Sequence, residues 1–321
     1  MTYSVAIRTL GTAGDKYREE LLCLHRQTIM PEKIVVYIAE GYKIPEYRIG
    51  IEEYVYVPKG MVAQRALSYT EIDSDCILML DDDVRLAPDS AEKLLKAMMD
   101  NCADCVGADT FKNQEMSVYN KIYAFITNLV YPRLNDKWAF KICHNGAFSY
   151  NNHPKNQFYL SQSCAGPAAM WKKDSFLAIH YEDELWMEKL EYPHGNDFIL
   201  FYKLYKNNYV LGVLYGSGIE HLDAAVSSTK FRNNKKRFYF RAKSPFAVWY
   251  RAVYSESKGI HRGAVLLSYM IRIIWMFIIN IISVGYFKNV YIPYWYIKGI
   301  YDGYRFVQTE EFRTLPPYVL K

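Results

Sequence analysis

The first hundred residues alternate between short apolar runs and segments in which apolar residues recur at helical spacing. The runs have the length and hydrophobicity of buried strands, and the intervening segments place apolar residues three and four positions apart. This pattern predicts strands at residues 4–9, 34–38, 54–57, 76–80 and from 105, and helices at residues 15–27, 63–72 and 88–99. Strands separated by helices of this length predict an α/β fold with a mostly parallel sheet covered on both faces.

The pattern loosens over residues 111–162, which are rich in Tyr and Asn and for which it predicts no element. Regular structure returns with a strand of small residues at 165–171, a helix at 197–206 and a strand at 209–215. A turn is predicted at Asn207 and Asn208, because Asn tolerates a positive φ. These elements extend a first domain to residue 225.

The apolar run at residues 264–287 requires a membrane test. Its one charge, Arg272, divides it into pieces of 8 and 15 residues, shorter than the roughly 20 apolar residues that cross a bilayer. On a helix, Ser268, Arg272, Asn280 and Ser283 form one polar stripe, and the remaining surface is apolar. This favours a helix in a membrane interface, with packing inside a helical subdomain as the alternative.

Charge divides the chain near the same boundary. Residues 1–225 hold 23 Lys and Arg against 30 Asp and Glu, whereas residues 226–321 hold 16 against 4 and also eleven Tyr. A basic, aromatic tail is typical of a segment that meets an anionic membrane surface or a lipid-linked pyrophosphate. No RNA-recognition motif accompanies it, so we expect no nucleic-acid partner. Six Cys in 321 residues predict a reduced, cytoplasmic setting, with the tail peripheral on the inner face of the cell membrane.

Three consecutive acids follow the buried strand at residues 76–80. Side chains alternate along a strand, so Asp81 and Asp83 point the same way at the carboxyl end of the sheet, where open α/β sheets bind ligands. Two carboxylates held together repel each other unless a cation binds them, and hard oxygen ligands suit Mg²⁺ or Mn²⁺. An acidic turn that caps the next helix is the alternative, but the apolar strand that leads directly into the acids favours a metal.

This constellation resembles the family-2 glycosyltransferases of the GT-A fold, whose DxD motif carries the metal and the nucleotide sugar. Gln27, Thr28 and Pro31 fall in a stretch similar to the family pattern S-x-x-x-Q-T followed by P-x-x-I-x-V. Residues 59–66 resemble the family's G-x-x-x-A-R-N segment beside the nucleotide. The resemblance implies a GT-A sheet flanked by helices over residues 1–225, with residues 226–321 as a membrane-associating extension. It also implies that five residues contact the nucleotide-sugar donor: Thr9, Glu40, Arg65, Asp81 and Asp82.

A second acidic motif of the family corresponds to Asp197, which opens the predicted helix after His194, Gly195 and Asn196. The resemblance implies that Asp197 is the general base that deprotonates the acceptor hydroxyl, while a plain helix N-cap is the alternative. His221 matches a histidine that ligates the metal in many relatives, which implies a site of Asp81, Asp83 and His221 for Mn²⁺ or Mg²⁺.

Together these features predict an inverting, metal-dependent glycosyltransferase of cell-surface polysaccharide synthesis. It would move a sugar from a nucleotide-diphosphate donor to a hydroxyl of a glycan or lipid-linked acceptor, and a single in-line displacement would invert the anomeric carbon. One alternative is a polyprenyl-phosphate glycosyltransferase, although the tail lacks clear paired spans. The other is a catalytically inactive membrane scaffold of a polysaccharide assembly complex, against which the presence of Asp81, Asp83 and Asp197 argues.

Overall fold

The computed structural model describes residues 1–110, 137–151, 153–192, 194–222, 236–287 and 289–320. Within these ranges the chain forms twelve strands. They are β1 Tyr3–Thr9, β2 Ile34–Ala39, β3 Glu52–Val57, β4 Cys76–Asp81, β5 Val84–Leu86, β6 Cys105–Ala108, β7 Phe140–Ile142, β8 Phe148–Tyr150, β9 Phe158–Leu160, β10 Ala168–Lys172, β11 Leu211–Leu214 and β12 Ile219–His221.

Eight of these strands make one sheet in the order β3-β2-β1-β4-β10-β6-β11-β9. Strands β1 to β4 pair in parallel, as do β6 and β11, while β10 and β9 run against their neighbours. Two further pairs are antiparallel, β5 with β12 and β7 with β8. The predicted mostly parallel α/β sheet is therefore confirmed.

Helices cover both faces of the sheet. They are α1 Asp15–Leu24, α2 Ser90–Asp100, α3 Lys173–Ala178, a 3₁₀ helix Tyr181–Leu190, α4 Asn196–Lys206, α5 Arg237–Trp249 with a π-helical turn Tyr250–Tyr254, α6 Gly259–Phe287, α7 Ile292–Val307 and α8 Glu310–Arg313. Alternate residues of β1 and β2 enter two cores, because side chains alternate along a strand. Ile7 and Val36 pack with α1 and α2, whereas Ala6 and Val35 pack on the face that α4 covers.

The helix expected at residues 63–72 is wrong. Residues 61–65 form turns with two α-helical hydrogen bonds, from the Gln64 N–H to the Gly60 carbonyl at 3.1 Å and from the Ala66 N–H to the Val62 carbonyl at 2.8 Å. Tyr69 then takes a φ of 50°, which a right-handed helix does not contain. The local pattern favours a helix, but Gln64 and Arg65 make long-range hydrogen bonds to Thr9 and Asp197. The turn directs both side chains to these partners.

The region of loose pattern lies partly outside the described residues, since residues 111–136 and 152 are not among them. Its remainder holds the short strands β7, β8 and β9, which the sequence pattern did not predict. The strand expected at 165–171 begins later, at Ala168, after Pro167. The turn at Asn207 and Asn208 is confirmed, with a φ of 65° at Asn208.

The C-terminal helices pack on the sheet domain rather than standing apart from it. Trp249, Tyr269 and Tyr318 belong to the same buried cluster as Ile199 and Phe201 of α4. Helices α5 and α7 approach closely at two glycines, where a Cβ on Gly299 would lie 2.4 Å from the Tyr239 carbonyl oxygen and one on Gly303 would lie 3.0 Å from that of Lys243. The expected boundary at residues 225 and 226 lies outside the described residues.

Helix α6 presents its polar stripe to the protein and its apolar residues to the outside. Ser268 and Asn280 are buried, and Arg272 Nη1 donates to the Asn145 carbonyl at 2.6 Å. The residues that point outward are between 41% and 67% exposed: Leu266, Leu267, Met270, Ile274, Ile278, Ile281 and Ile282. Because Arg272 turns inward, it does not interrupt the apolar face. By length and composition alone, Gly259–Gly285 is the one helical segment of the described residues that could cross a membrane.

Candidate active site

A tight turn and a strand pairing bring the predicted metal ligands together. Strand β4 ends at Asp81, and a tight turn through Asp82 and Asp83 leads into β5. Strand β12 pairs with β5 so that His221 lies opposite Val84, which places His221 Nε2 3.1 Å from Asp83 Oδ1. One ligand atom from each of Asp81, Asp83 and His221 lies within 4.8 Å of the others. Two carboxylate oxygens and an imidazole nitrogen fit a divalent cation and suit Mn²⁺ better than Mg²⁺.

The acids of this turn hold a concentrated negative charge. Burial, followed by the charges of Asp81 and Asp83, raises the pKa of Asp82 to about 6, even though the Thr9 hydroxyl donates to its Oδ2. Burial also opposes ionisation of Asp81, but the guanidinium groups of Arg8 and Arg65 outweigh it and lower the pKa of Asp81. Cations therefore stabilise this cluster, and two arginines already supply part of that charge.

Arg8 is a site residue that the sequence reasoning missed. The parallel register of β1 and β4 sets Arg8 beside Asp81, and the two side chains form an ion pair. Arg8 Nη1 also lies 3.3 Å from the Met61 carbonyl oxygen. An arginine near the end of an otherwise apolar strand was the available signal, since such a side chain needs an acidic partner.

Glu20 lies behind the acidic turn and was also missed. It is fully buried on α1, and its Oε2 accepts from the Val84 N–H at 3.5 Å. Burial, with the charges of Asp82 and its neighbours, raises the pKa of Glu20 well above its usual range. Glu20 falls on the same helical face as Tyr17, Leu21 and Leu24, so periodicity could have identified it as a buried acid.

Arg65 connects the candidate metal ligands to the candidate base. Its Nη1 pairs with Asp197, its Nη2 donates to the Gly166 carbonyl at 2.8 Å, and Nη2 lies 3.7 Å from Asp81 Oδ1. The Arg65 side chain is only 5% exposed, whereas Asp197 is 38% exposed. A Cβ on Gly166 would lie 2.1 Å from Asp197 Oδ1 and 2.6 Å from Arg65 Nη2, so a larger residue there would displace this ion pair.

Asp197 is the second residue of α4 and does not cap the helix. The N-cap position belongs to Gly195, with a φ of 97°, and the Asp197 N–H donates to the side chain of Asn196 at 2.8 Å. The Asp197 carboxylate is thus directed to Arg65 and is partly open to solvent. A base in this position can meet an acceptor hydroxyl that enters from outside.

A cleft of about 690 Å³ is lined by Arg8, by Thr9 and by the candidate metal ligands, whereas Arg65 and Asp197 are not among its lining residues in the described chain. Its basic lining consists of Arg8, Lys16 and Lys59, and its acidic lining includes the three consecutive Asp residues. The other side chains that line it include Thr9, Gln64, Glu188, Glu191, Tyr192 and His221. Glu40 follows β2 with an exposed side chain and is not among the lining residues of the described chain.

A buried ion cluster anchors the segment that leads to Asp197. Glu184 is fully buried in the 3₁₀ helix and accepts from Arg251 at 2.9 and 3.1 Å and from Trp186 Nε1 at 2.7 Å. Lys203 of α4, also fully buried, lies 3.1 Å from Glu184. Burial alone would raise the pKa of Glu184, but Arg251 and Lys203 lower it. The cluster therefore ties the 3₁₀ helix, α4 and the C-terminal helices together.

Comparison with known proteins supports the resemblance. Residues 53–174 match the family described as glycosyl transferase family 2. No curated protein sequence matches the chain. Among solved structures, S. aureus TarS 1-349 is 13% identical, with a TM-score of 0.53 over 96% of this chain and 81% of TarS 1-349. The structure of TarS 1-349 in complex with UDP-GlcNAc is 12% identical, with a TM-score of 0.53, and the match covers 96% of this chain and 82% of the TarS chain.

GalNAc-T7 with UDP, GalNAc and Mn²⁺ is 13% identical, with a TM-score of 0.50 over 77% of this chain and 51% of that protein. At such identities these likenesses concern the fold, and the family match concerns the segment that contains β4 and the three consecutive acids. By its matched segment and its fold, the chain is therefore similar to the GT-A-fold family-2 glycosyltransferases, as its motifs predict, and this supports a transferase activity.

Proposed function

We propose that the protein is a metal-dependent, inverting glycosyltransferase that uses a nucleotide-diphosphate sugar. One observation carries the proposal: a single cleft holds the Asp81, Asp83 and His221 cluster, and Arg65 joins that cluster to Asp197. The structural neighbours add support for the donor and the ion, since one is in complex with UDP-GlcNAc and another with UDP, GalNAc and Mn²⁺.

Each side chain has a role that follows from its position. Asp81, Asp83 and His221 would hold the divalent cation, which when bound neutralises charge on the leaving diphosphate. Thr9 fixes Asp82 by donating to its Oδ2. Arg8, Lys16 and Lys59 are the cationic side chains of the cleft that would contact a phosphate-bearing donor.

Asp197, which is linked to the metal ligands through Arg65, would act as the general base. Its carboxylate takes the proton of the acceptor hydroxyl while the oxygen attacks the anomeric carbon in line with the departing diphosphate. One displacement inverts the configuration of that carbon. Arg65 keeps the Asp197 carboxylate oriented and links its position to that of Asp81.

The C-terminal helices support a membrane-facing role for residues 226–321, with residues 1–225 as the catalytic part. Helix α6 exposes a continuous apolar face, and α7 exposes Tyr294, Ile297, Tyr301 and Tyr304 along one side. Tyr is favoured at the headgroup level of a bilayer, and the basic excess of this part suits anionic lipids. We place the enzyme in the cytoplasm, peripheral on the inner face of the cell membrane, where a glycan or lipid-linked acceptor of cell-surface polysaccharide synthesis is available.

A panel of nucleotide sugars tests this function. Each is added with Mn²⁺, and thermal protection and donor hydrolysis are measured, with EDTA and with UMP as controls because UMP lacks the diphosphate. A matching donor at a hundred times its Kd should stabilise the fold by about 2.7 kcal/mol. Protection by one class of donor, lost with EDTA, supports the proposal. Absence of protection and hydrolysis with every donor would favour the inactive scaffold instead.

A further inference from the structure

The turn at residues 60–66 depends on a side chain from a distant part of the chain. Glu188 Oε1 accepts from the Val62 N–H at 2.6 Å and from the Ala63 N–H at 3.1 Å, across more than 120 residues of sequence. The first N–H groups of a helical turn have no partner within it, and a side-chain carboxylate can satisfy them. Glu188 therefore caps this turn from outside.

The capped turn delivers two side chains to the site. Gln64 Nε2 donates to the Thr9 carbonyl at 3.1 Å, at the end of β1, where Thr9 lines the cleft. Arg65 pairs with Asp197 and donates to the Gly166 carbonyl. A shift of the turn would therefore disturb the contact of Gln64 with Thr9 at the end of β1 and the contact of Arg65 with Asp197.

The residue that caps the turn is itself firmly held. Glu188 belongs to the 3₁₀ helix that the buried Glu184 anchors to Arg251 and Lys203. Gly60 lies against it so closely that a Cβ there would come 2.4 Å from Glu188 Oε1. Since Gly60 does not adopt a positive φ, the cost of a Cβ there is the displacement of this carboxylate.

We propose that Glu188 is a positioning residue, which acts through the turn at residues 60–66 to set Arg65 against Asp197. The role rests on the proposed function, because Asp197 matters here as the base. Acceptance of two N–H groups requires an oxygen, not a charge. We call these two hydrogen bonds, from the Val62 and Ala63 N–H groups to Glu188, the clamp. Glu188→Gln should therefore keep the clamp, and Glu188→Ala should remove it.

The test compares six proteins, including one double variant, by steady-state kinetics with the donor that the nucleotide-sugar panel selects and by hydrogen exchange of the peptide that contains residues 60–66. Glu188→Ala should lower kcat by about tenfold to a hundredfold, the cost of misplaced reacting groups, with a smaller rise in the KM for the donor through Gln64. Its amides at Val62 and Ala63 should exchange faster. Glu188→Gln should lie closer to the wild type than to Glu188→Ala in both measurements, because its amide oxygen can still accept from both N–H groups, although without the negative charge. Glu182→Ala, an exposed glutamate of the same 3₁₀ helix, is the control and should change neither.

Gly60→Ala supplies an independent perturbation. The added methyl group would push the carboxylate off the two amides, so this variant should reproduce Glu188→Ala. In the Glu188→Ala background the methyl group has room, and Gly60→Ala should have almost no further effect on kcat or on exchange. Equal effects of Gly60→Ala in both backgrounds would overturn the proposal, as would a Glu188→Gln variant as impaired as Glu188→Ala.

The two readouts separate this inference from the proposed function. If the wild type turns over no nucleotide sugar, the function fails, yet faster exchange in Glu188→Ala would still demonstrate the clamp. If the wild type is active and Glu188→Ala keeps both its kcat and its slow exchange, the clamp is refuted while the function stands.

Discussion

Replacement of Asp197 by Asn separates catalysis from structure. The amide keeps an oxygen that can accept from Arg65 but is a far weaker base, so turnover should fall by about 10²–10⁴-fold, or about 2.7–5.5 kcal/mol of transition-state stabilisation. Because Asp197 is not the helix cap, the structural cost arises at Arg65, whose side chain is 5% exposed. Arg65 would retain the Gly166 carbonyl at 2.8 Å and Asp81 at 3.7 Å.

The loss of one charged partner with the hydrogen bond retained should cost about 1–2 kcal/mol of the free energy of unfolding. For 321 residues, an unfolding entropy of about 2.1 cal/mol/K per residue converts this into a fall in Tm of about 1.5–3 °C. Calorimetry gives the Tm, and turnover of the identified donor gives kcat. Binding of UDP with Mn²⁺ should persist, since the metal ligands are unchanged.

Asp183→Asn is the matched control, because Asp183 also faces a buried cation, Lys203 at 3.2 Å, but its partner is not the arginine that reaches Asp81. It should lose a similar amount of stability and keep its turnover. An Asp197→Asn enzyme with turnover near that of the wild type would show that Asp197 serves only as the partner of Arg65. The base would then have to be sought elsewhere.

Three further changes probe the metal site, the buried ion cluster and the tail. Asp83→Ala should abolish Mn²⁺-dependent UDP binding in calorimetry without unfolding the chain, and unchanged binding would end the metal assignment. Arg251→Met should cost about 3–5 kcal/mol in denaturant unfolding by leaving Glu184 with less charge compensation. The pKa of Glu184 is lowered in the folded state, so its ionised carboxylate stabilises the fold above its unfolded pKa, and this stabilisation is lost as the pH falls through the folded pKa. Acid unfolding of Arg251→Met should therefore begin at a higher pH than that of the wild type. An unshifted acid midpoint would contradict this. Leu267→Glu with Ile274→Glu should reduce flotation with anionic vesicles while donor hydrolysis persists, whereas equal flotation would exclude the outer face of α6 as the membrane contact.

The sequence alone determined the elements whose pattern is local. Strands β1, β2 and β4 follow from short apolar runs, and α4 follows from its periodicity and the turn at Asn208. The position of Asp81 and Asp83 after β4 was readable for the same reason, since a strand fixes which side chains point together. The local pattern is insufficient around Tyr69, where a helical pattern is replaced by a turn that contacts from distant residues stabilise.

Tertiary structure decided which distant residues meet. Arg8 and Asp81 are 73 residues apart, and only the register of β1 and β4 pairs them. Glu188 reaches the amides of Val62 and Ala63 only because the 3₁₀ helix is anchored beside them. The polar stripe of α6 was visible in the sequence, yet its inward direction depends on Arg272 meeting the Asn145 carbonyl. Periodicity records which side chains share a face, whereas partners for buried charges and the direction of that face come from packing between segments far apart in the chain.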